Sequence, residues 1–166
     1  MYTTTEQFIK EWQYESQSTG KMFNNLTDES LNQKVTEDGR SLGFIAWHLA
    51  LTVPEMMNRT GLKVEGPPHD QPVPASAKEI NDGYQKACAS LSEQIQKNWK
   101  DEILKEEDEM YGEKWAKGMT LYYLMLHQAH HRGQMTVLMR QAGLKVPGVY
   151  GPAKEEWVAY GMEPMP

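Results

Sequence analysis

The sequence predicts an all-α fold, a four-helix bundle, on three observations. Four long segments repeat their apolar residues every three to four positions, no segment alternates clearly as a half-buried strand would, and the apolar runs are rich in Leu, Met, Ala and Trp rather than Val and Ile. Methionine alone accounts for 11 residues. Such segments bury a stripe each, and packing them on one another is the economical way to do so.

The first helix is expected from Thr5 to about Leu26, with Phe8, Trp12, Glu15 and Thr19 at helical spacing and Thr3 and Glu6 spaced as a capping box. A polar stretch follows, in which Thr27-Asp28-Glu29 opens one short helical turn. Ser41 begins a strongly apolar second helix that reaches Arg59. Pro54 stands inside it and is expected to kink or interrupt it, because proline donates no hydrogen bond and crowds the preceding turn. The connection from Gly61 to Pro74, with Gly66-Pro67-Pro68 and Pro72-Val73-Pro74, cannot continue a helix. Its length suits a crossover along a bundle, giving a long connection between helices 2 and 3.

Ser76 to about Trp99 reads as the third helix, with Ile80, Tyr84, Ala87, Leu91 and Ile95 on one face. The charged stretch Lys100–Asp108 either extends it or forms a linker. The fourth helix runs from about Met119 to Ala142 and ends at Gly143, a suitable left-handed cap. A Gly/Pro-rich C-terminal tail follows, from Pro147 to Pro166, with a candidate turn at Ala153–Tyr160. Its Val149, Tyr150 and Trp157 need burial, either by simple packing on the bundle or by folding over its mouth, where they would wall a pocket.

The chain's 166 residues suit one domain, 1–166. With 17 Lys+Arg against 23 Asp+Glu, the net charge of −6 argues against a nucleic-acid binder, which needs a basic face. No apolar run reaches the roughly 18–20 residues of a membrane helix, so no membrane partner is expected. A single cysteine, Cys88, permits no internal disulfide, and the N-terminus lacks the pattern of a secretory signal. A cytoplasmic protein is the expectation.

The chemistry concentrates in Leu126-His127-Gln128-Ala129-His130-His131-Arg132-Gly133-Gln134, which holds three of the five histidines. His127 and His131 lie one turn apart on one helix face, with Cβ atoms about 5–6 Å apart, so two imidazoles can meet one metal ion. His130 is turned by about 100° from His131. His48, mid-helix in an apolar segment, is the leading third ligand, because an unpaired imidazole there would be costly. Three neutral imidazoles suit a divalent transition metal, Zn or Ni above all, with Fe, Co or Mn as further options, and leave a position open. Tyr123 and Gln134, one turn to either side of the pair, face the same way and can touch the ligands. A lone helical histidine is ordinarily a hydrogen-bonded core or surface residue; the i,i+4 pair plus a third histidine on another helix is what lifts this set above that reading. Cys88 has no neighbouring base and reads as a small buried side chain, and His69 as a solvated loop residue.

Trp47-His48-Leu49, the run His127–Met135 (HQAHHRGQM), Leu138 with Gly143-Leu144, and Val146-Pro147-Gly148-Val149-Tyr150-Gly151-Pro152 resemble the DinB/YfiT-like superfamily over most of the chain. The HxxxHRGQ run is the specific part. The resemblance implies a four-helix bundle holding a divalent metal on three histidines, which fall here on His48, His127 and His131, with His130 inside the motif but not a ligand. It also implies a homodimer and a small-molecule substrate. Members with an activity include isomerases and S-transferases that use a low-molecular-weight thiol, and metal-dependent hydrolases. The expectation is therefore a metal-dependent enzyme that activates a thiol, or else water. The alternatives are a non-catalytic metal-binding stress or sensor protein, or a helical dimerisation module whose histidines line an interface and titrate near 6.5.

Overall fold

The structure, a computed structural model, describes residues 1–164; the last two residues of the tail lie outside them. The chain is mostly helical, with four α-helices, α1 (Thr5–Phe23), α2 (Leu42–Asn58), α3 (Ala77–Asn98) and α4 (Lys117–Gln141), and a two-stranded antiparallel sheet, β1 (Glu107–Met110) and β2 (Glu113–Ala116). Short 3-10 segments lie at Glu29–Asn32, Asp101–Lys105 and Lys154–Tyr160. None of the helices in the described residues is long and apolar enough to cross a membrane.

Local signals account for three of the four helix starts, those of α1, α2 and α3. Thr4, not Thr3, caps α1 by accepting from Gln7 N at 3.2 Å, and the Ser41 and Ser76 hydroxyls accept from Phe44 N and Glu79 N to open α2 and α3. Thr4 takes this role because its backbone is extended and its side chain reaches the third residue on. Gly143, at φ +72°, follows the end of α4 as expected of a left-handed cap. The helix α2 runs unbroken through Pro54, contrary to the expected interruption. One backbone hydrogen bond is forgone there, but the helix is buried on most of its surface and neighbouring packing holds it.

Helix α2 packs on α3 and α4, and α1 packs on the same two partners. The buried apolar residues form one cluster, with Trp12, Phe8, Phe23, Tyr84 and Met57 at its centre. Each large apolar side chain so buried contributes about 1.5–3 kcal/mol. The connection after α2 runs back along α3: Lys63 N bonds Gln94, Glu65 N bonds Ser90, and Gly66 approaches Ala87. At its far end Trp47 Nε1 donates to the Gln71 carbonyl (3.1 Å), so α3 begins beside the start of α2 and runs in the same sense. The crossover is thus realised.

The sheet is the departure from the all-α expectation. Lys100–Asp108 neither extends α3 nor stays a linker; it forms a 3-10 turn and then β1, which pairs Met110 with Glu113 across a two-residue turn, Tyr111-Gly112. Its strands are charged, with exposed outer faces, so no alternation of apolar residues marks them in the sequence. The hairpin is pinned to the start of α4 by Lys117, whose buried ammonium sits 3.0 Å from the Asp108 carboxylate, and by Trp115, whose ring lies 4.8 Å from that of Tyr123.

Candidate metal centre

Helix α2 presents His48, Leu51, Thr52 and Glu55 on one face, spaced three to four residues apart. Helix α4 turns Tyr123, Leu126, His127, His130 and His131 toward them. The three histidines singled out by spacing meet: His48 Nε2 and His131 Nε2 each lie 3.1 Å from His127 Nε2, and one nitrogen from each ring falls within 4.8 Å of the others. The ring of Phe44 stacks against His48 at 6.2 Å.

The donor set fits a cation. A single imidazole nitrogen carries either a proton or a lone pair. His127 Nε2 therefore cannot satisfy both neighbours by hydrogen bonds, whereas three lone pairs turned toward one ion would satisfy all of them. Nitrogens bound at the usual metal–imidazole length, with angles between 90° and tetrahedral, stand about 2.9–3.4 Å apart, which brackets the two close pairs.

The electrostatics favour the neutral rings that coordination needs. Burial, with help from the nearby His131 and Arg40, holds the His48 pKa down to about 4. Burial and the neighbouring His131, His48 and His130 hold His127 to about 4 as well. Burial also lowers His131, opposed by a hydrogen bond to Gln134. That bond, His131 Nδ1 to Gln134 Oε1 at 2.7 Å, places the proton on Nδ1 and leaves the Nε2 lone pair facing the other rings. His127 Nδ1 is buried without a partner among the described residues.

His48 and His127 form one wall of a cavity of about 670 Å³. Leu51 and Met56 of α2, Tyr123 and Leu126 of α4, and Trp115 of β2 give it an apolar lining. Tyr123 thus faces the cavity, its ring tilted at 36° against that of Trp115, rather than hydrogen-bonding a histidine. His130 stands at the rim, its ring 4.9 Å from His131. Sequence reasoning missed Glu55 and the hairpin's Tyr111 as lining residues; His69 is exposed in its loop, as expected, and also borders the cavity. Glu55 was legible as the residue two turns beyond His48; Tyr111 and His69 arrive from segments with no helical register to extrapolate.

Cys88 and the tail lie away from the cavity lining. Cys88 is buried, and burial pushes its thiol up to about 12, so it is no nucleophile. No described residue of the tail lines the cavity. Tyr150 is 71% exposed, yet its hydroxyl accepts from Arg132 (2.6 Å) and donates to Glu15 (2.8 Å), and Tyr14 donates to the Val149 carbonyl. The tail is held by polar anchors on α1 and α4, with Trp157 only half-buried, rather than by burying its aromatic rings over the mouth. Of the two alternatives for the tail, packing on the bundle is the one its anchors on α1 and α4 match, and the hairpin lines the cavity instead.

A sequence model of the DinB family matches residues 1–164. The chain is 45% identical over 163 residues to YrdA of Bacillus subtilis strain 168, an uncharacterized protein, covering 98% of each chain. Its fold is similar to that of a DinB-like protein from Bacillus cereus ATCC 10987, with a TM-score of 0.87 and 49% identity over 90% of this chain and 100% of that one. A DinB-like protein of B. subtilis, YjoA, shares the fold at a TM-score of 0.67 and 17% identity, over 86% of this chain and 97% of that one. Motif, fold and family match coincide over the same residues, and the chain belongs to the DinB family.

Proposed function

We propose that this protein is a divalent-metal-dependent enzyme acting on a small substrate, with His48, His127 and His131 as the metal ligands and a low-molecular-weight thiol, or else water, as the nucleophile. The observation that carries this reading is the convergence of three neutral imidazoles on one point at the wall of an apolar cavity. A closed structural site would have no such cavity beside it. Zn or Ni suits the all-nitrogen set best. An ion held there would supply Lewis acidity and so lower the pKa of a bound thiol or water.

The chain's own residues do the rest. Gln134 orients His131 and fixes its tautomer. Burial keeps His48 and His127 deprotonated at neutral pH. Leu51, Met56, Trp115, Tyr123 and Leu126 hold the substrate's apolar part and exclude water around the reacting atoms. Cys88 plays no part, so the nucleophile is exogenous. We read the four long helices as a four-helix bundle, working as a cytoplasmic homodimer.

The test is elemental analysis of untagged protein beside His131→Ala. Wild type should carry about one metal per chain; the variant should lose it while its circular dichroism stays helical. A wild type that takes up neither Zn²⁺ nor Ni²⁺ after incubation sinks the reading. Equal metal in the variant sinks the ligand assignment.

A further inference from the structure

The hairpin turn contains a residue that backbone geometry alone would not choose. Tyr111 and Gly112 have φ of +56° and +87° in a two-residue turn, the pattern of a type I′ hairpin, in which both central residues are left-handed. Asn, Asp or Gly is the comfortable choice at the first of these positions, and a tyrosine there is strained. Strain of this kind persists where surrounding contacts impose it, and it concentrates at functional sites.

The contacts are specific. The Tyr111 hydroxyl donates to Glu55 Oε2 at 2.6 Å, across the cavity from hairpin to α2. The other carboxylate oxygen, Oε1, accepts from Arg59 Nε at 2.8 Å, and the Arg59 guanidinium lies 4.9 Å from the Tyr111 ring centroid. Trp115 meets the same ring edge-on at 5.7 Å. Burial and Glu55 both raise the Tyr111 pKa, so its hydroxyl stays a donor. This cluster stands at a junction. Leu51, Glu55 and His69 border both the histidine cavity and a second one of about 500 Å³ that continues past Asn58 and Arg59.

We infer that Tyr111 is a specificity-determining residue: latched to Glu55, it forms the end wall of the histidine cavity and restricts it to uncharged, apolar molecules of one or two aromatic rings. The charge argument follows from the lining. Glu55 is paired with Arg59, and away from the histidines and Thr52 the lining is apolar, at Leu51, Met56, Trp115, Tyr123 and Leu126, so an ionic group lying on that part would find no partner for its charge. The size argument follows from the volume of about 670 Å³, one side of which Tyr111 lines together with Trp115 and Tyr123. The inference rests on reading the cavity as a substrate site, but it does not require the metal.

The experiment uses the full chain, with metal content measured in every sample, and the neutral fluorophore N-phenyl-1-naphthylamine as probe. Affinity is compared for wild type, Tyr111→Gly and Tyr111→Phe, with 8-anilinonaphthalene-1-sulfonate as the charged counterpart. Tyr111→Gly relieves the strained φ, so the fold and its Tm should hold or improve. Its affinity for the neutral probe should nevertheless fall about five- to tenfold, the worth of a lost aromatic wall. Tyr111→Phe should keep most of the affinity while amide exchange across 107–116 accelerates, because the ring remains and the latch is gone. Unchanged affinity in Tyr111→Gly, or tighter binding of the sulfonate by metal-free wild type, overturns the inference. Absence of metal with the probe result intact would fail the metal reading alone.

Discussion

His127 is the residue on which the centre turns. Its Nε2 stands 3.1 Å from two other imidazole nitrogens, an arrangement three neutral rings cannot satisfy among themselves. The folded protein holds His48 and His127 near pKa 4, whereas an unfolded chain binds their protons near 6.5. Between those values the unfolded state carries more protons, so stability rises with pH there. Chelator-treated protein should therefore hold a constant contribution from these residues above about pH 7 and lose it as the pH falls from 6.5 toward 4. Thermal melts of wild type against a His48→Ala, His127→Ala variant isolate the effect. Wild type should lose more Tm than the variant over that window; parallel curves would mean that the rings are not held neutral.

At the scale of elements, the hairpin takes the place beside the cavity that was one of two alternatives for the tail. It closes the cavity because the chain turns sharply from β2 into α4, and that turn needs close backbone packing. Gly118 lies against the Tyr2 carbonyl, which a Cβ would meet at 2.4 Å, and against the Leu104 carbonyl at 3.3 Å. Neither obstacle is a flexible side chain. Gly118→Ala should cost about 1–3 kcal/mol, from forced backbone shifts. Urea unfolding monitored by circular dichroism reads it, and a change below about 0.5 kcal/mol would show that the N-terminal strand of chain near Tyr2 yields freely. Apolar periodicity made the helices legible in sequence, and of the cap signals Thr4 rather than Thr3 serves α1. The hairpin was not legible, because its strands are charged and short, and only their fit beside Lys117 and Tyr123 makes them strands.

Across the whole molecule, α4 carries two polar systems, one on each side. His127 and His131 face α2, while Arg132 turns toward α1 and forms a buried ion pair with Glu15, with Thr19 and Tyr150 as further partners. Both charged side chains are under a tenth exposed. Removing one leaves the other charged and buried, so Arg132→Met should cost about 3–5 kcal/mol. Replacing both, as Glu15→Met with Arg132→Met, should cost markedly less, because no charge is then stranded. Chemical denaturation of the three proteins decides it. A double variant as unstable as the sum of the two single variants would mean that the pair does not act as a unit.

The sequence by itself determined the four helices, the crossover and the i,i+4 histidine pair, because these depend on local periodicity, on the inability of proline and glycine to continue a helix, and on one helix's own geometry. It also carried the family motif. Tertiary structure alone decided that His48 reaches the pair through a helix interrupted in sequence by Pro54 yet continuous in space, since its packing outweighs one missing hydrogen bond. It likewise decided which segment walls the cavity. Tyr111, Trp115 and His69 come from a hairpin and a loop, whose positions follow from long-range contacts that no local pattern encodes.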